Sequence, residues 1–192
     1  PMTLFASELP FITFGKVAVS PPPGAFLQAT RDGEAVLQDL VTEIAGSERR
    51  FVDLFSGCGT LSLPLLDQAA ELLAVEQNED ALGALKAGAD AAGLGGRTNV
   101  KPRNLFQAPL ISDELAGFDM AIIDPPRSGA AAQCEMLAKA TIEKIAMVSC
   151  NPASFARDAA ILNNAGFSLD WVKVIDQFLF TNHLEIVGAF HR

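Results

Sequence analysis

The sequence predicts an α/β fold in which a mostly parallel sheet ends in an antiparallel hairpin. Between residues 51 and 149, short apolar runs alternate with stretches compatible with helices, a pattern typical of a parallel sheet covered by helices on both faces. The last two extended runs, at 168–176 and 183–190, have no helix between them, and we expect them to pair antiparallel. The predicted core strands before them are 51–55, 72–76, 99–103, 118–124 and 145–149.

The elements around these strands follow from local patterns. The alternating stretch at 11–19 predicts a strand or hairpin, and the run Ser20-Pro-Pro-Pro-Gly24 predicts a turn after it. Apolar residues at helical spacing with carboxylates between them predict a helix over 31–45, and further helices are expected at 80–92 and 130–140. We therefore divide the chain into an amino-terminal segment, 1–30, and a main domain, 31–192.

Composition bounds the class of protein. The 192 residues fit one domain, and no apolar run reaches the roughly 18 residues of a membrane span. The start at Pro1 lacks the features of a secretory signal, so we expect a cytoplasmic protein. Three cysteines without a C-x-x-C pair predict neither a disulfide framework nor a metal site. The net charge of −9 argues against binding nucleic acid by bulk electrostatics, so an RNA substrate would need help from another region.

Three acidic or glycine-rich strand ends predict a nucleotide-type cofactor site. Gly57 and Gly59 form a glycine loop after the first core strand, where a turn without side chains lets a ligand approach the backbone, and a helix is expected to follow from about Leu61. Ser62 occupies the third glycine position of a dinucleotide motif, and no P-loop lysine is present. Glu76 ends the next strand, where a carboxylate can accept hydrogen bonds from ribose hydroxyls, and Asp124 ends the fourth. Together these signals favour S-adenosylmethionine, although each alone also fits a tight turn or a solvated acid.

A thiol and a distant carboxylate are the candidate reactive groups. Asp124-Pro-Pro is followed by Arg127, whereas enzymes that methylate exocyclic amines place an aromatic residue there. The candidate reactive groups are therefore Cys150, at a strand end before Asn-Pro, and Glu185, which comes 35 residues later. A strand-end cysteine is often only a small buried hydrophobe, and Glu185 also fits a solvated strand position.

The chain resembles the RNA 5-methyluridine methyltransferases, which act on tRNA or ribosomal RNA. The specific part of the resemblance is Ser-Cys-Asn-Pro at 149–152 with Ala-Arg-Asp at 156–158 and His-Leu-Glu at 183–185; further matches lie at 24–28, 53–60, 76 and 124–129. The resemblance implies a class I S-adenosylmethionine-dependent methyltransferase fold, which is Rossmann-like. It implies that Cys150 is the nucleophile, that Glu185 is the base, and that His183 either orients a partner or caps a strand. The implied cofactor contacts are Gln28, Phe55, Gly57, Thr60, Glu76, Asn104 and Asp124.

The chemistry of this family explains the thiol and the carboxylate. Carbon 5 of uracil is a poor nucleophile until a thiolate adds to carbon 6, and a base must later remove the proton from carbon 5. A helix that begins near Asn151 is expected to lower the pKa of Cys150. Cys58 and Cys134 are expected to be structural.

The sequence also departs from the family. Thr60 stands where better-known members have asparagine, and Leu179-Phe180 replaces their Pro-His. The family's amino-terminal RNA-binding β-barrel, its central RNA-contacting region and the four-cysteine iron–sulfur motif of some members are not present in the sequence. The chain is then either a catalytic fragment or a pared-down relative, and RNA binding is expected to depend on the missing regions. Two alternatives stay open: an RNA cytosine carbon 5 methyltransferase, and a non-catalytic module that binds the cofactor. The sequence predicts no oligomeric state.

Overall fold

A computed structural model describes residues 10–177, 180–181 and 184–192, and it confirms the predicted fold class. Helices and strands alternate along most of the chain. The helices are α1 Arg31–Ala45, α2 Glu79–Ala91, α3 Ala131–Leu137 and α4 Pro152–Asn164, with short 3₁₀ helices at Leu63–Asp67 and Gly95–Arg97. The strands are β1 Ile12–Phe14, β2 Val17–Val19, β3 Arg50–Leu54, β4 Glu71–Glu76, β5 Thr98–Pro102, β6 Met120–Ile123, β7 Lys144–Ser149, β8 Ser168–Ile175 and β9 Glu185–His191.

The main sheet of the described residues has the strand order β5-β4-β3-β6-β7-β9-β8. Strands β3 to β7 pair in parallel, whereas β9 pairs antiparallel with both β7 and β8. The two terminal runs therefore pair as expected, and β9 inserts between β7 and β8. The predicted hairpin at 11–19 is also present as β1 and β2. It lies against α2, where Gly88 leaves room for the carbonyl of Ala18.

Side-chain caps explain where three of the helices begin. Thr30 accepts a hydrogen bond from the N–H of Gly33 at the start of α1, and Asn78 accepts from two N–H groups of α2. Asn151 accepts from the N–H of Ala153, and Pro152 occupies the first turn of α4. Such caps satisfy N–H groups that have no partner within the helix. As a result α4 begins directly after Cys150.

The sheet separates two apolar layers. One contains Phe14, Leu37 and Leu85, from the hairpin, α1 and α2, and the other contains Leu137 and Leu162, from α3 and α4. All five side chains are fully buried. None of the helices in the described part of the chain is long and apolar enough to cross a membrane.

The segment after the glycine loop differs from the expectation of a helix from about Leu61. Residues 57–62 form turns, and only the 3₁₀ helix Leu63–Asp67 follows. The first bond of an α-helix that began at Leu61 would run from the N–H of residue 64 to the carbonyl of Thr60. Residue 64 is proline, which has no N–H, and the Thr60 carbonyl accepts a hydrogen bond from Nε2 of Gln38 at 3.0 Å instead.

Candidate active site

A cavity of about 390 Å³ lies at the carboxyl edge of the sheet. It is lined by the residues that follow β3, β4, β5, β6 and β7, by the first residue of β9, and by part of the segment before α1. Open α/β sheets bind their ligands at this edge. The predicted site residues that line the cavity are Gln28, Phe55, Gly57, Thr60, Glu76, Asp124, Cys150 and Glu185.

The glycine loop is held open toward this cavity. The N–H groups of Phe55 and Ser56 both donate to the carbonyl of Val75, which turns the chain sharply at the end of β3. Phe55 itself has a φ of 65°, a left-handed conformation that is uncommon for a side chain of this size. A Cβ added to Gly57 would meet no atom within 4 Å. The backbone at Gly57 is therefore accessible to a ligand, as the sequence predicts.

Glu76 is positioned by the backbone around it. Its Oε1 accepts hydrogen bonds from the N–H groups of Gln77 and Asn78, at 2.8 and 2.9 Å, and its Oε2 accepts from the N–H of Gly57 at 3.3 Å. The carboxylate is only half-buried and faces the cavity. It is thus fixed in orientation while lone pairs remain for hydroxyl donors.

Two buried polar groups in the cavity wall have no hydrogen-bond partner among the described residues. They are Oδ2 of Asp53 and the hydroxyl of Ser56, on either side of the start of the glycine loop. Burial raises the pKa of Asp53 to about 7; the nearby Ser62 hydroxyl opposes this rise, and the Glu76 carboxylate adds to it. Buried polar groups are normally paired, so this wall is suited to a polar ligand. Asp53 was not predicted as a contact, although an acidic residue directly before the loop was visible in the sequence.

Gln28 reaches the cavity with the help of a second glutamine. Nε2 of Gln177 donates to Oε1 of Gln28 at 3.1 Å, and Oε1 of Gln177 accepts from the N–H of Thr30 at 3.4 Å. Gln177 is buried and packs against Gly33, where a Cβ would come within 2.4 Å of it. Gln177 lies 149 residues from Gln28, and no local pattern in the sequence indicates the pair.

Asn104 does not line the cavity. Its Oδ1 accepts hydrogen bonds from the N–H groups of Phe106 and Gln107, and this turn places Phe106 in the cavity wall beside Phe55. The two ring centroids are 5.3 Å apart. Asn104 therefore shapes the wall, and its contact with a cofactor stays a prediction. Phe26 and Phe106 are lining residues that sequence reasoning missed, and both are largely exposed.

The strand register brings Cys150 and Glu185 together. Ser149 at the end of β7 pairs with Ile186 in β9, so the next position on each strand is Cys150 and Glu185, respectively. Both residues line the cavity. The inserted position of β9 is what places a carboxylate from the chain terminus beside the thiol. His183, for which an orienting or capping role was considered, lies outside the described residues, as does Leu179.

The pKa values of two acidic groups near Cys150 are strongly raised. Burial raises the pKa of Glu185 to about 7. Burial, with contributions from the carboxylates of Glu185 and Asp53, raises the pKa of Asp124 to about 8. Strong perturbation of several groups in one cleft is typical of catalytic sites.

The pKa of the Cys150 thiol is raised, whereas it was expected to be lowered. Helix α4 begins where it was expected, but burial raises the pKa of Cys150, and the Glu185 and Asp124 carboxylates raise it further. The desolvation and the two negative charges outweigh a backbone hydrogen bond and the nearby Arg127 guanidinium, which both lower the pKa. Cys58 and Cys134 are both buried, Cys58 in the cavity wall and Cys134 in the core under α3, which fits their expected structural role.

Three side chains at the start of α4 hold the loop after β6. Nδ2 of Asn151 donates to the carbonyl of Arg127 at 2.9 Å, and Nη2 of Arg157 donates to the carbonyl of Ser128 at 2.9 Å. Asp158 is buried and accepts from the N–H of Ala130. The start of α4, directly after Cys150, and the Pro-Pro-Arg turn are thus parts of one hydrogen-bonded unit.

Comparisons with known proteins identify the family of this chain. A family model described as tRNA (uracil-5-)-methyltransferase matches residues 98–191. The chain is 33% identical over 198 residues to the 23S rRNA (uracil(1939)-C(5))-methyltransferase RlmD of Nitrosococcus oceani, covering 97% of this chain and 42% of that protein. The chain belongs to the RNA 5-methyluridine methyltransferase family. An RNA methyltransferase of Caulobacter vibrioides is 40% identical to this family member over 195 residues, covering 99% of this chain and 46% of that protein.

A solved structure supports the fold of this family member. The tRNA (uracil-54, C5)-methyltransferase of Pyrococcus abyssi, in complex with S-adenosyl-L-homocysteine, matches with a TM-score of 0.82 and 24% identity, covering 97% of this chain and 45% of that one. The chain spans about half the length of the curated relatives it matches, for example 46% of the Caulobacter protein.

Proposed function

We propose that this chain binds S-adenosylmethionine and transfers the methyl group to carbon 5 of a uridine in RNA, through a covalent adduct between Cys150 and carbon 6 of the base. The observation that carries the proposal is the neighbouring register of Cys150 and Glu185 at one end of a cavity. The opposite wall of the same cavity holds the open glycine loop and Glu76. A nucleophile, a base and a cofactor site therefore share one space.

The residues of the cavity fit the cofactor. Glu76 is fixed to accept hydrogen bonds from the ribose hydroxyls, and Gly57 leaves the backbone open. The unpartnered oxygen of Asp53 and the carboxamide of Gln28 provide further polar contacts. When bound, S-adenosylmethionine supplies an electrophilic methyl group on a positively charged sulfur, and the carboxylates of this cavity favour that charge.

Cys150 activates the target uracil. Its thiolate forms a bond to carbon 6 of uracil, and the electron pair of the 5,6 double bond moves into the enolate at carbon 4, which makes carbon 5 nucleophilic. Asp124, whose pKa is raised to about 8, lies in the same part of the cavity and is largely protonated at neutral pH. In that form it can donate a hydrogen bond to the developing enolate oxygen.

Glu185 completes the reaction. Its carboxylate removes the proton from carbon 5 after that carbon has been methylated, the 5,6 double bond forms again, and the bond from carbon 6 to Sγ of Cys150 breaks. The raised pKa of Glu185, about 7, suits a group that must take a proton and release it near neutral pH. The target uracil must leave its stack in the RNA to reach the cavity.

The named relatives favour uracil over cytosine as the target base. The Nitrosococcus oceani relative is named for carbon 5 of a uracil in 23S rRNA, and the Pyrococcus abyssi structure is titled for carbon 5 of uracil 54 in tRNA. Both kinds of RNA are therefore candidate substrates. The net charge of −9 supports the view that the remainder of a longer protein grips the RNA.

RNA that contains 5-fluorouridine tests the mechanism. Fluorine at carbon 5 cannot be removed as a proton, so tRNA and 23S rRNA transcripts carrying it should trap a methylated adduct that survives denaturing electrophoresis. Cys150→Ala should abolish the adduct, and Cys134→Ala, which removes a thiol outside the cavity, should keep it. An adduct that persists in Cys150→Ala would contradict the proposal. Cofactor binding without an adduct on any RNA, in a protein to which the amino-terminal RNA-binding region has been restored, would support the non-catalytic module instead.

RNA that contains ordinary uridine tests the role of Glu185 separately. In Glu185→Gln the proton on carbon 5 has no acceptor, so the methylated adduct should accumulate on RNA that the wild-type chain releases. Mass spectrometry of the cross-linked peptide would identify it. Unaltered turnover of this variant would remove Glu185 from the mechanism.

A further inference from the structure

The charges that line the cavity are unequal. Asp53, Glu76, Asp124 and Glu185 contribute carboxylates, and two arginines contribute the positive charges. Arg103 is already paired, because its Nη1 and Nη2 each donate to Glu114 at 2.8 Å. The remaining cation of the described cavity wall is Arg127.

Arg127 has no carboxylate of its own. Its side chain is exposed, and within residues 10–177, 180–181 and 184–192 it forms no ion pair or side-chain hydrogen bond. Many other cations of this acidic chain form ion pairs, as Arg50 does with Glu71 and Lys173 does with Glu43. An arginine left free beside several carboxylates is available to an anion from outside the chain.

The backbone under Arg127 is fixed by the unit described above. Asn151, the residue after Cys150, donates to the carbonyl of Arg127, and Arg157 donates to that of Ser128. Gly129 has a φ of 74°, and a Cβ there would lie 2.8 Å from Cβ of Ser154. The guanidinium therefore extends from a rigid turn next to the thiol, at the end of the cavity where the reacting base must lie.

We propose that Arg127 binds a phosphate group that adjoins the target uridine. This inference rests on the proposed function. A nucleotide that enters the cavity brings an anion toward a wall with four acidic side chains, and a fixed cation at the rim offsets the repulsion from those that are ionised. The planar guanidinium also suits bidentate hydrogen bonding to phosphate oxygens. Arg127 would thereby orient the ribose so that carbon 6 faces Cys150.

Binding of small ligands tests the inference without requiring turnover. Dissociation constants for uridine, uridine 5′-monophosphate and uridine 3′-monophosphate are measured by NMR titration of this chain in the presence of S-adenosylhomocysteine. One monophosphate should bind about tenfold more tightly than uridine, as expected for a charge-assisted contact, and which one shows on which side the phosphate lies. Arg127→Gln should abolish this preference, and Arg127→Lys should keep part of it.

A matched variant and a cofactor titration complete the test. Arg49→Gln makes the same change in net charge at the opposite edge of the sheet, before β3, and should leave the preference intact. If the wild type shows no preference for a monophosphate over uridine, or if the preference survives in Arg127→Gln, the inference is overturned while the proposed function stands. A large loss of S-adenosylmethionine affinity in Arg127→Gln would also overturn it, by assigning the arginine to the cofactor's carboxylate. Failure of all uridine ligands to bind would contradict the proposed function as well.

Discussion

The carboxylate of Asp158 accepts a hydrogen bond from the N–H of Ala130 at 2.6 Å, and this contact ties α4 to the loop that follows β6. The bond is buried, and Arg157 also pairs with Asp158 at 2.6 Å. Since α4 begins right after Cys150 and the loop begins with Asp124-Pro-Pro, the contact fixes two reactive strand ends relative to each other. The residue before Ala130, Gly129, must be glycine, because a Cβ there would lie 2.5 Å from Oδ2 of Asp158.

Gly129→Ala should destabilise the protein more than a comparable substitution elsewhere. A Cβ at residue 129 would lie 2.5 Å from Oδ2 of Asp158 and 2.8 Å from Cβ of Ser154, in addition to the strain at φ 74°. Gly93 has nearly the same φ, 73°, but a Cβ there would meet nothing within 4 Å. We expect Gly93→Ala to cost about 1 kcal/mol and Gly129→Ala at least about 2 kcal/mol more. Equal losses in urea denaturation would show that the loop can shift away from α4.

Gln177→Glu should weaken cofactor binding and also lower the stability of the protein, because it places a carboxylate at a buried position. The carboxylate still accepts the hydrogen bond from Thr30 but can no longer donate to Gln28, so the Gln28 carboxamide must turn its Nε2 toward residue 177 and its oxygen away from it. We expect the Kd for S-adenosylmethionine to rise roughly three- to tenfold, measured by calorimetry. Asn163→Asp, the same kind of change on the exposed end of α4, should leave the Kd unaltered. A wild-type Kd in Gln177→Glu would mean that Gln28 is not oriented by this pair.

The parts of the site that were predictable from the sequence lie at strand ends. Gly57, Glu76 and Asp124 follow apolar runs whose alternation is strong, and parallel strands necessarily bring their carboxyl ends to one edge. The partnership of Cys150 and Glu185 came from the resemblance to a family, because nothing local reveals that β9 inserts beside β7. That register depends on packing across the whole sheet.

Other features depended on contacts between distant residues or on single backbone details. The pairing of Gln28 with Gln177 spans 149 positions. The helix expected from Leu61 was wrong because Pro64 removes its first hydrogen bond. The predicted direction of the Cys150 pKa shift was wrong. The helix end was visible in the sequence, whereas the burial of the thiol and the two carboxylates beside it were not.

The rate at which methylated RNA is released from the adduct should rise with pH through about 7, because Glu185 must be ionised to remove the proton from carbon 5. With a pKa of about 7, roughly a tenth of Glu185 is ionised at pH 6 and roughly nine tenths at pH 8. The pKa of Cys150 is also raised, so more thiolate forms above pH 8, but Asp124, with a pKa of about 8, loses its proton in the same range and can no longer donate to the enolate oxygen. Single-turnover rates on ordinary RNA, measured from pH 6 to 9, should therefore show the rise near pH 7 and no comparable rise above pH 8.

The 5-fluorouridine substrate separates these two contributions. Trapping requires Cys150 and methyl transfer but no removal of a proton from carbon 5, so its pH profile should follow the thiol and lack the inflection near 7. The ratio of turnover rate to trapping rate should therefore increase about tenfold between pH 6 and 8 in the wild type. If the two profiles coincide across this range, proton removal by Glu185 does not limit the reaction, and its raised pKa reflects only the burial of the carboxyl group beside the thiol.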